Sequence, residues 1–159
     1  IKITDMMTQI DAMRASASIP VASRPVMLGG KRLLDGGVSD PIPVKWMLSR
    51  GYEKNVVVLT RDVKYRKKAN PKMQLFLKAV LHKYPAFLKD LEERHIHYNE
   101  TLEELASLEK EGRIHIIRPS SPIQAAMIER DESNLERIYQ TGRADMKKDL
   151  EKLKAYLDS

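Results

Sequence analysis

Apolar positions fall into two kinds of pattern along this chain, and each predicts a different element. Met6, Met7, Ile10 and Met13 recur at helical spacing behind Thr4 or Asp5, either of which can cap, and predict a helix over 4–16. Pro20 and Pro25 impose extended backbone over 19–28. Val26-Met27-Leu28 and Lys31-Arg32-Leu33-Leu34, joined by Gly29-Gly30, predict a hairpin. Asp40-Pro41-Ile42-Pro43 opens a helix over 44–50, since proline is tolerated in a first turn, and Gly51 ends it. The run Asn55-Val56-Val57-Val58-Leu59-Thr60 is continuous rather than alternating, which predicts a strand buried on both faces of a largely parallel sheet. Helical periodicity returns over about 71–82, 85–98 and 100–111. Ile114-His115-Ile116-Ile117 predicts a second buried strand, stopped by Arg118-Pro119, and 134–157 reads as helix with a break at Gly142.

Strand–helix–strand order with long crossovers argues for an α/β fold with a mainly parallel sheet and helices on both faces. Two central strands and a hairpin are fewer than such a sheet normally holds, so the sheet reads as half of one. The chain opens on Ile1 in what reads as mid-helix. The expectation is therefore that residues 1–159 are a portion of a single domain whose N-terminal part lies elsewhere.

Composition narrows the class. Apolar residues make up 42% and charged residues 31% of the chain, which fits a globular protein and not a disordered one. No apolar run approaches the roughly 20 residues of a membrane helix. With no cysteine, disulfides and thiolate metal sites are excluded. The net charge of +6 is uneven: Arg61, Lys64, Arg66, Lys67, Lys68 and Lys72 crowd one segment, while Glu92, Glu93, Glu100, Glu103, Glu104, Glu109 and Glu111 follow it. A basic patch of this kind attracts anionic lipid, phosphorylated ligands or nucleic acid. Only Tyr65 lies within it as a stacking aromatic, which argues against nucleic acid. The alternative is a solvated loop that salt-bridges the acidic helices.

The residue with the clearest chemical potential is Asp35. It ends the apolar run Leu33-Leu34 and is followed by Gly36 and Gly37, which allow a sharp turn and close approach to a ligand. A carboxylate there can accept the proton of a serine hydroxyl. Alternatively, Asp-Gly simply begins a turn.

Its surroundings form an ordered series: Ala12-Met13-Arg14-Ala15-Ser16-Ala17-Ser18-Ile19-Pro20, Pro25, Leu34-Asp35-Gly36-Gly37 and Pro41-Ile42-Pro43-Val44, ending in Gly51 and the strand 56–60. This series resembles the C-terminal half of the patatin-like phospholipases, in particular their bacterial members. Residues 114–119 and Ile138-Tyr139-Gln140-Thr141-Gly142-Arg143-Ala144-Asp145 look like the family's closing strand and helix, so the resemblance spans nearly the whole chain. It is most specific over 12–44. It implies a three-layer α/β/α fold and a serine lipid acyl hydrolase working through a Ser–Asp dyad without histidine or cofactor. Asp35 matches the family's base. The Gly-x-Ser-x-Gly elbow and the glycine-rich oxyanion loop do not occur here, so the resemblance implies that both lie outside the chain and that this portion alone is inactive. The alternative is a non-catalytic lipid- or protein-binding module with a degenerate patatin fold.

Arg61 follows the central strand, and the expected sheet would bring it to the same edge as Asp35. With Tyr65 and Lys67 it could hold a lipid phosphate or carboxylate. His95 and His97, two apart, suit a metal on a strand but not on the helix expected there, so no metal site is assigned. His82 and His115 show no partner spacing, and Trp46 and the methionines read as core or groove packing. The expected partners are a lipid or ester substrate, a peripheral membrane contact, and either the missing half of the domain or a second copy covering the exposed sheet. A cytoplasmic location, in part peripheral to the membrane, fits this reading.

Overall fold

The computed structural model describes residues 5, 9–126 and 129–159. Helix α1 (Ile10–Ser16) leads to an antiparallel hairpin of β1 (Val26–Leu28) and β2 (Lys31–Leu33), then to a 3-10 turn, Gly36–Val38. Helix α2 (Val44–Ser49), strand β3 (Asn55–Val58), helices α3 (Pro71–Leu81) and α4 (Pro85–Lys110), strand β4 (Ile114–Ile117) and helix α5 (Glu132–Asp158) follow. The described helix starts at Ile10 with Gln9 at its N-cap, so Asp5 does not cap it; Thr4, Met6 and Met7 lie outside the described residues.

The three-layer α/β/α fold with a mainly parallel sheet is corrected: the described residues form a largely helical protein with two separate two-stranded sheets. β3 and β4 do pair in parallel, Asn55 opposite Ile114 and Val58 opposite Ile117. The reason lies in what covers them. Val56 and Val58 are 40% and 68% exposed, so β3 is covered on one face only, and its β-branched run does not signal two-sided burial. The hairpin forms its own sheet, so Asp35 and Arg61 do not share a sheet edge.

Two other expectations change for local reasons. The helices expected over 85–98 and 100–111 are one helix, α4, because no glycine or proline interrupts it. Gly142 does not break α5, since a glycine costs only about 1 kcal/mol against alanine and this helix has 27 residues to set against it.

The chain divides into two compact units, Ile1–Pro43 with Lys68–Tyr98, and Val44–Lys67 with Asn99–Ser159. In the first, Ala12, Ala15, Val26 and Val38 are buried, small side chains that let α1 lie close against β1 and the 3-10 turn. In the second, Val44, Leu105, Leu108, Ile114 and Ile116 form the core. Tyr156 closes that unit. Its hydroxyl accepts from the Asn55 amide at 2.9 Å and donates to the Arg113 carbonyl at 3.1 Å, tying α5 to the entrances of both strands.

Candidate functional site

The apolar run ahead of Asp35 becomes β2, and the backbone leaves the hairpin with the Asp35 amide donating to the Ser18 carbonyl at 2.9 Å. Asp35 then caps the 3-10 turn: its Oδ1 accepts the Gly37 amide at 2.7 Å. A side chain at Gly37 would set its Cβ 3.1 Å from that same oxygen, so glycine there protects the cap. Arg94, from α4, donates through Nε to the Gly37 carbonyl at 2.7 Å and fixes the turn from outside. The Ser18 hydroxyl is committed to the Arg14 carbonyl at 2.7 Å, closing the end of α1. The half-buried carboxylate of Asp35 thus sits in a hydrogen-bonded turn that Arg94 completes, and no sequence signal links Arg94 to it.

Arg61 and Tyr65 come together in the loop after β3, and Lys67 lies further along the same loop. The Arg61 guanidinium lies 5.0 Å over the Tyr65 ring. Asp62 organises the turn, its Oδ1 accepting the Lys64 amide at 2.9 Å and its carbonyl the Tyr65 amide at 3.2 Å. Lys67 is held through its backbone by Asn99. His95 and His97 lie on α4, as expected of a helix, and His95 Nδ1 is 2.9 Å from the Glu92 carbonyl oxygen. Trp46 is a correction: it is 48% exposed, with Arg50 stacked 5.0 Å from its ring rather than core packed around it.

Helix α3, expected over about 71–82, forms as Pro71–Leu81 and packs by one arc only. Gln74 and Lys78 turn toward α4, where Lys78 pairs with Glu92 at 2.9 Å, and Leu77 and Leu81 on the same arc are half-buried. Met73, Phe76 and Val80, spaced three and four apart, form the other arc and are 50%, 50% and 47% exposed. Leu75 is more exposed still, and the helix buries no residue at all. Lys68 and Lys72 precede this arc and Lys83 follows it; all three are exposed, and none makes an ion pair among the described residues. Asn70 starts the helix cleanly, its Oδ1 accepting the Met73 amide at 3.1 Å ahead of Pro71.

His115 and Asp149 form a further contact that spacing does not reveal. His115 Nε2 meets Asp149 Oδ2, and the imidazole stacks on Tyr156, so β4 and α5 are joined by a half-buried polar pair. At the carboxyl ends of β3 and β4 lies a cleft of about 330 Å³, lined by Val58, Ile117, Ile123, Ile138, Asp145 and Met146 among others. Asp145 accepts the Ser120 amide at 2.9 Å, and this bond, with the Ser120 side chain, holds its carboxyl below the usual range.

Two family models match separate parts of the chain. Residues 84–158 match the domain of unknown function DUF6363, and residues 2–48 match Patatin, described as patatin-like phospholipase. No curated protein matches the chain. These matches correct the reading of a patatin-like acyl hydrolase running through nearly the whole sequence. Similarity to that family stops at Leu48, before the strand pair, and the C-terminal helices match a different family. The Ser–Asp dyad split across the chain boundary, the classification as a serine ester hydrolase, and the alternative of a degenerate patatin fold over the whole chain fall with it. No helix among the described residues is long and apolar enough to cross a membrane.

Proposed function

We propose that this chain is a binding module that attaches to anionic membrane surfaces through the outer arc of α3. The observation that carries this reading is the pairing of exposed Met73, Phe76 and Val80 with exposed Lys68, Lys72 and Lys83 on one short helix and its flanks. An amphipathic helix of this kind lies in the plane of the interface, its apolar arc reaching the acyl boundary and its cations meeting headgroups. Each lysine near an anionic surface contributes about 1 kcal/mol. Three partly exposed apolar side chains add about 1 kcal/mol or more each if fully buried. Together they give reversible attachment that needs both contributions. The match of residues 2–48 to a phospholipase family is in keeping with a lipid setting.

Co-sedimentation with vesicles tests this. Phosphatidylcholine vesicles containing phosphatidylserine should bind the protein, and pure phosphatidylcholine should bind it far less. Phe76→Ser should reduce binding about tenfold, and the pair Lys72→Glu with Lys83→Glu about thirtyfold or more. Equal binding to both vesicle types would reject the reading. So would concentration-dependent self-association abolished by Phe76→Ser, which would assign the arc to a second copy instead.

A further inference from the structure

A second feature, within the unit of Ile1–Pro43 with Lys68–Tyr98, is separate from the outer arc of α3 and not used by the membrane reading. A cleft of about 320 Å³ opens between the segment before the hairpin, strand β2 and the junction of α3 with α4. Its walls are Val21, Pro25, Leu34, Leu81 and Phe87, and two polar groups, Arg32 and Tyr84, complete them with Ser23. Arg32 Nη1 donates to the Tyr84 hydroxyl at 2.7 Å. That bond uses one of the five N–H donors of the guanidinium, and among the described residues no carboxylate pairs with Arg32.

An apolar cleft with one oriented, unpaired guanidinium selects a ligand with an apolar body and one anionic head. The volume is at the lower end of the roughly 300–1,000 Å³ that small-molecule sites occupy, so the body is a single chain rather than a two-chain lipid. The guanidinium's planar fork matches a carboxylate with two parallel hydrogen bonds. The bond from Nη1 to the Tyr84 hydroxyl holds one end of that fork in place. The wall also carries the one unusual backbone conformation among the non-glycine residues described: Val21 has φ of +69°. For a β-branched side chain this is a strained conformation, and strain of this kind collects at ligand sites.

We propose that this cleft binds single-chain monocarboxylates of the fatty-acid type, the carboxylate on Arg32 and the chain along Leu34, Leu81 and Phe87. The site lies on α3's inner side and the start of α4, so its occupancy does not depend on membrane attachment.

Calorimetric titration of the full chain with laurate, below its micellar concentration, tests the assignment. Laurate should bind, and dodecanol, which has the same chain and no charge, should bind at least tenfold more weakly. Arg32→Met should weaken laurate about ten- to a hundredfold and leave dodecanol unchanged, as expected for loss of a charge-assisted pair. Arg32→Lys should recover part of the affinity, which separates loss of the site from loss of the fold. Phe87→Trp should fill the cleft and weaken laurate and dodecanol alike. Phe76→Ser should leave laurate binding intact, so failure of the membrane reading and failure of this one are distinguishable. Equal affinity for laurate and dodecanol, no effect of Arg32→Met, or tighter binding of dodecyl phosphate than of laurate would each overturn the carboxylate site.

Discussion

Asn99 holds Lys67 by both of its main-chain polar groups: the Lys67 amide donates to Asn99 Oδ1 at 2.8 Å, and Asn99 Nδ2 donates to the Lys67 carbonyl at 3.0 Å. A side chain in the middle of α4 thereby sets the end of the basic loop that carries Arg61 and Tyr65. Asn99→Ala removes both bonds, each worth about 1 kcal/mol net, and regains roughly 0.5 kcal/mol of helix propensity. The expected net loss is about 1–2 kcal/mol, read from urea unfolding. Amide exchange over 61–67 should speed up more than elsewhere. Stability equal to or above that of the parent would show that the clamp contributes nothing.

Gly142 is exposed in the interior of α5, and a Cβ built there meets no atom within 4 Å. Gly142→Ala should therefore stabilise the protein by about 0.5–1 kcal/mol through the helix alone. Thermal unfolding should move up by about 1–4 °C for a chain of this size. A fall in the midpoint would mean that the cleft beside Gly142 needs the space.

Val21→Gly should also stabilise, for a different reason. At φ of +69° a valine carries a strain of roughly 1–2 kcal/mol that glycine does not. The added flexibility of glycine in the unfolded chain offsets roughly 0.5–1 kcal/mol of that gain. A rise of about 0.5–1 kcal/mol is the expected outcome by chemical denaturation. Destabilisation would show that Val21's contacts in the cleft outweigh its backbone strain.

Acid should loosen the start of α5 first. Glu129 Oε1 accepts the amides of Arg130 and Asp131, and its Oε2 accepts from Asn134 Nδ2 at 2.7 Å; these bonds, led by the Asp131 amide, lower its pKa to about 2. Asp131, the N-cap, is also lowered, chiefly by the Ser133 hydroxyl. A depressed carboxylate stabilises the folded state above its unfolded pKa, near 4.5 for Glu129, and loses that contribution as pH falls toward about 2. Carbon chemical shifts of 132–136 should keep helical values at pH 5 and drift toward coil by pH 2.5. Unchanged shifts over that interval would contradict the capping role.

What the sequence made legible was local. Gly29-Gly30 between two short apolar runs predicts the hairpin because a turn is a two-residue decision, and Gly51 marks a helix end for the same reason. What it hid depends on distant partners. Nothing near Val56 or Val58 tells how many elements will cover them, so a run that reads as central becomes a strand with one open face. Arg32 meets Tyr84 across 52 positions, and His115 meets Asp149 across 34, with no spacing rule to announce either pair. Asn99 looks like a weak point in a helix until Lys67 is seen beside it. Met73, Phe76 and Val80 recur at helical spacing, but periodicity alone cannot say which arc of α3 faces solvent.

The two sheets also differ in when they can form. The hairpin closes around a two-residue turn whose glycines already hold positive φ, an event of about 1–10 μs for an isolated hairpin. β3 has no such neighbour: Asn55 must wait for Ile114, and α3 and α4 lie between them. Long-range parallel pairing of this kind comes late, because the entropy of closing the loop is lost before any contact repays it. A nascent chain emerging from synthesis would thus hold its hairpin early, and would carry an unpaired, valine-rich segment until Ile117 had cleared.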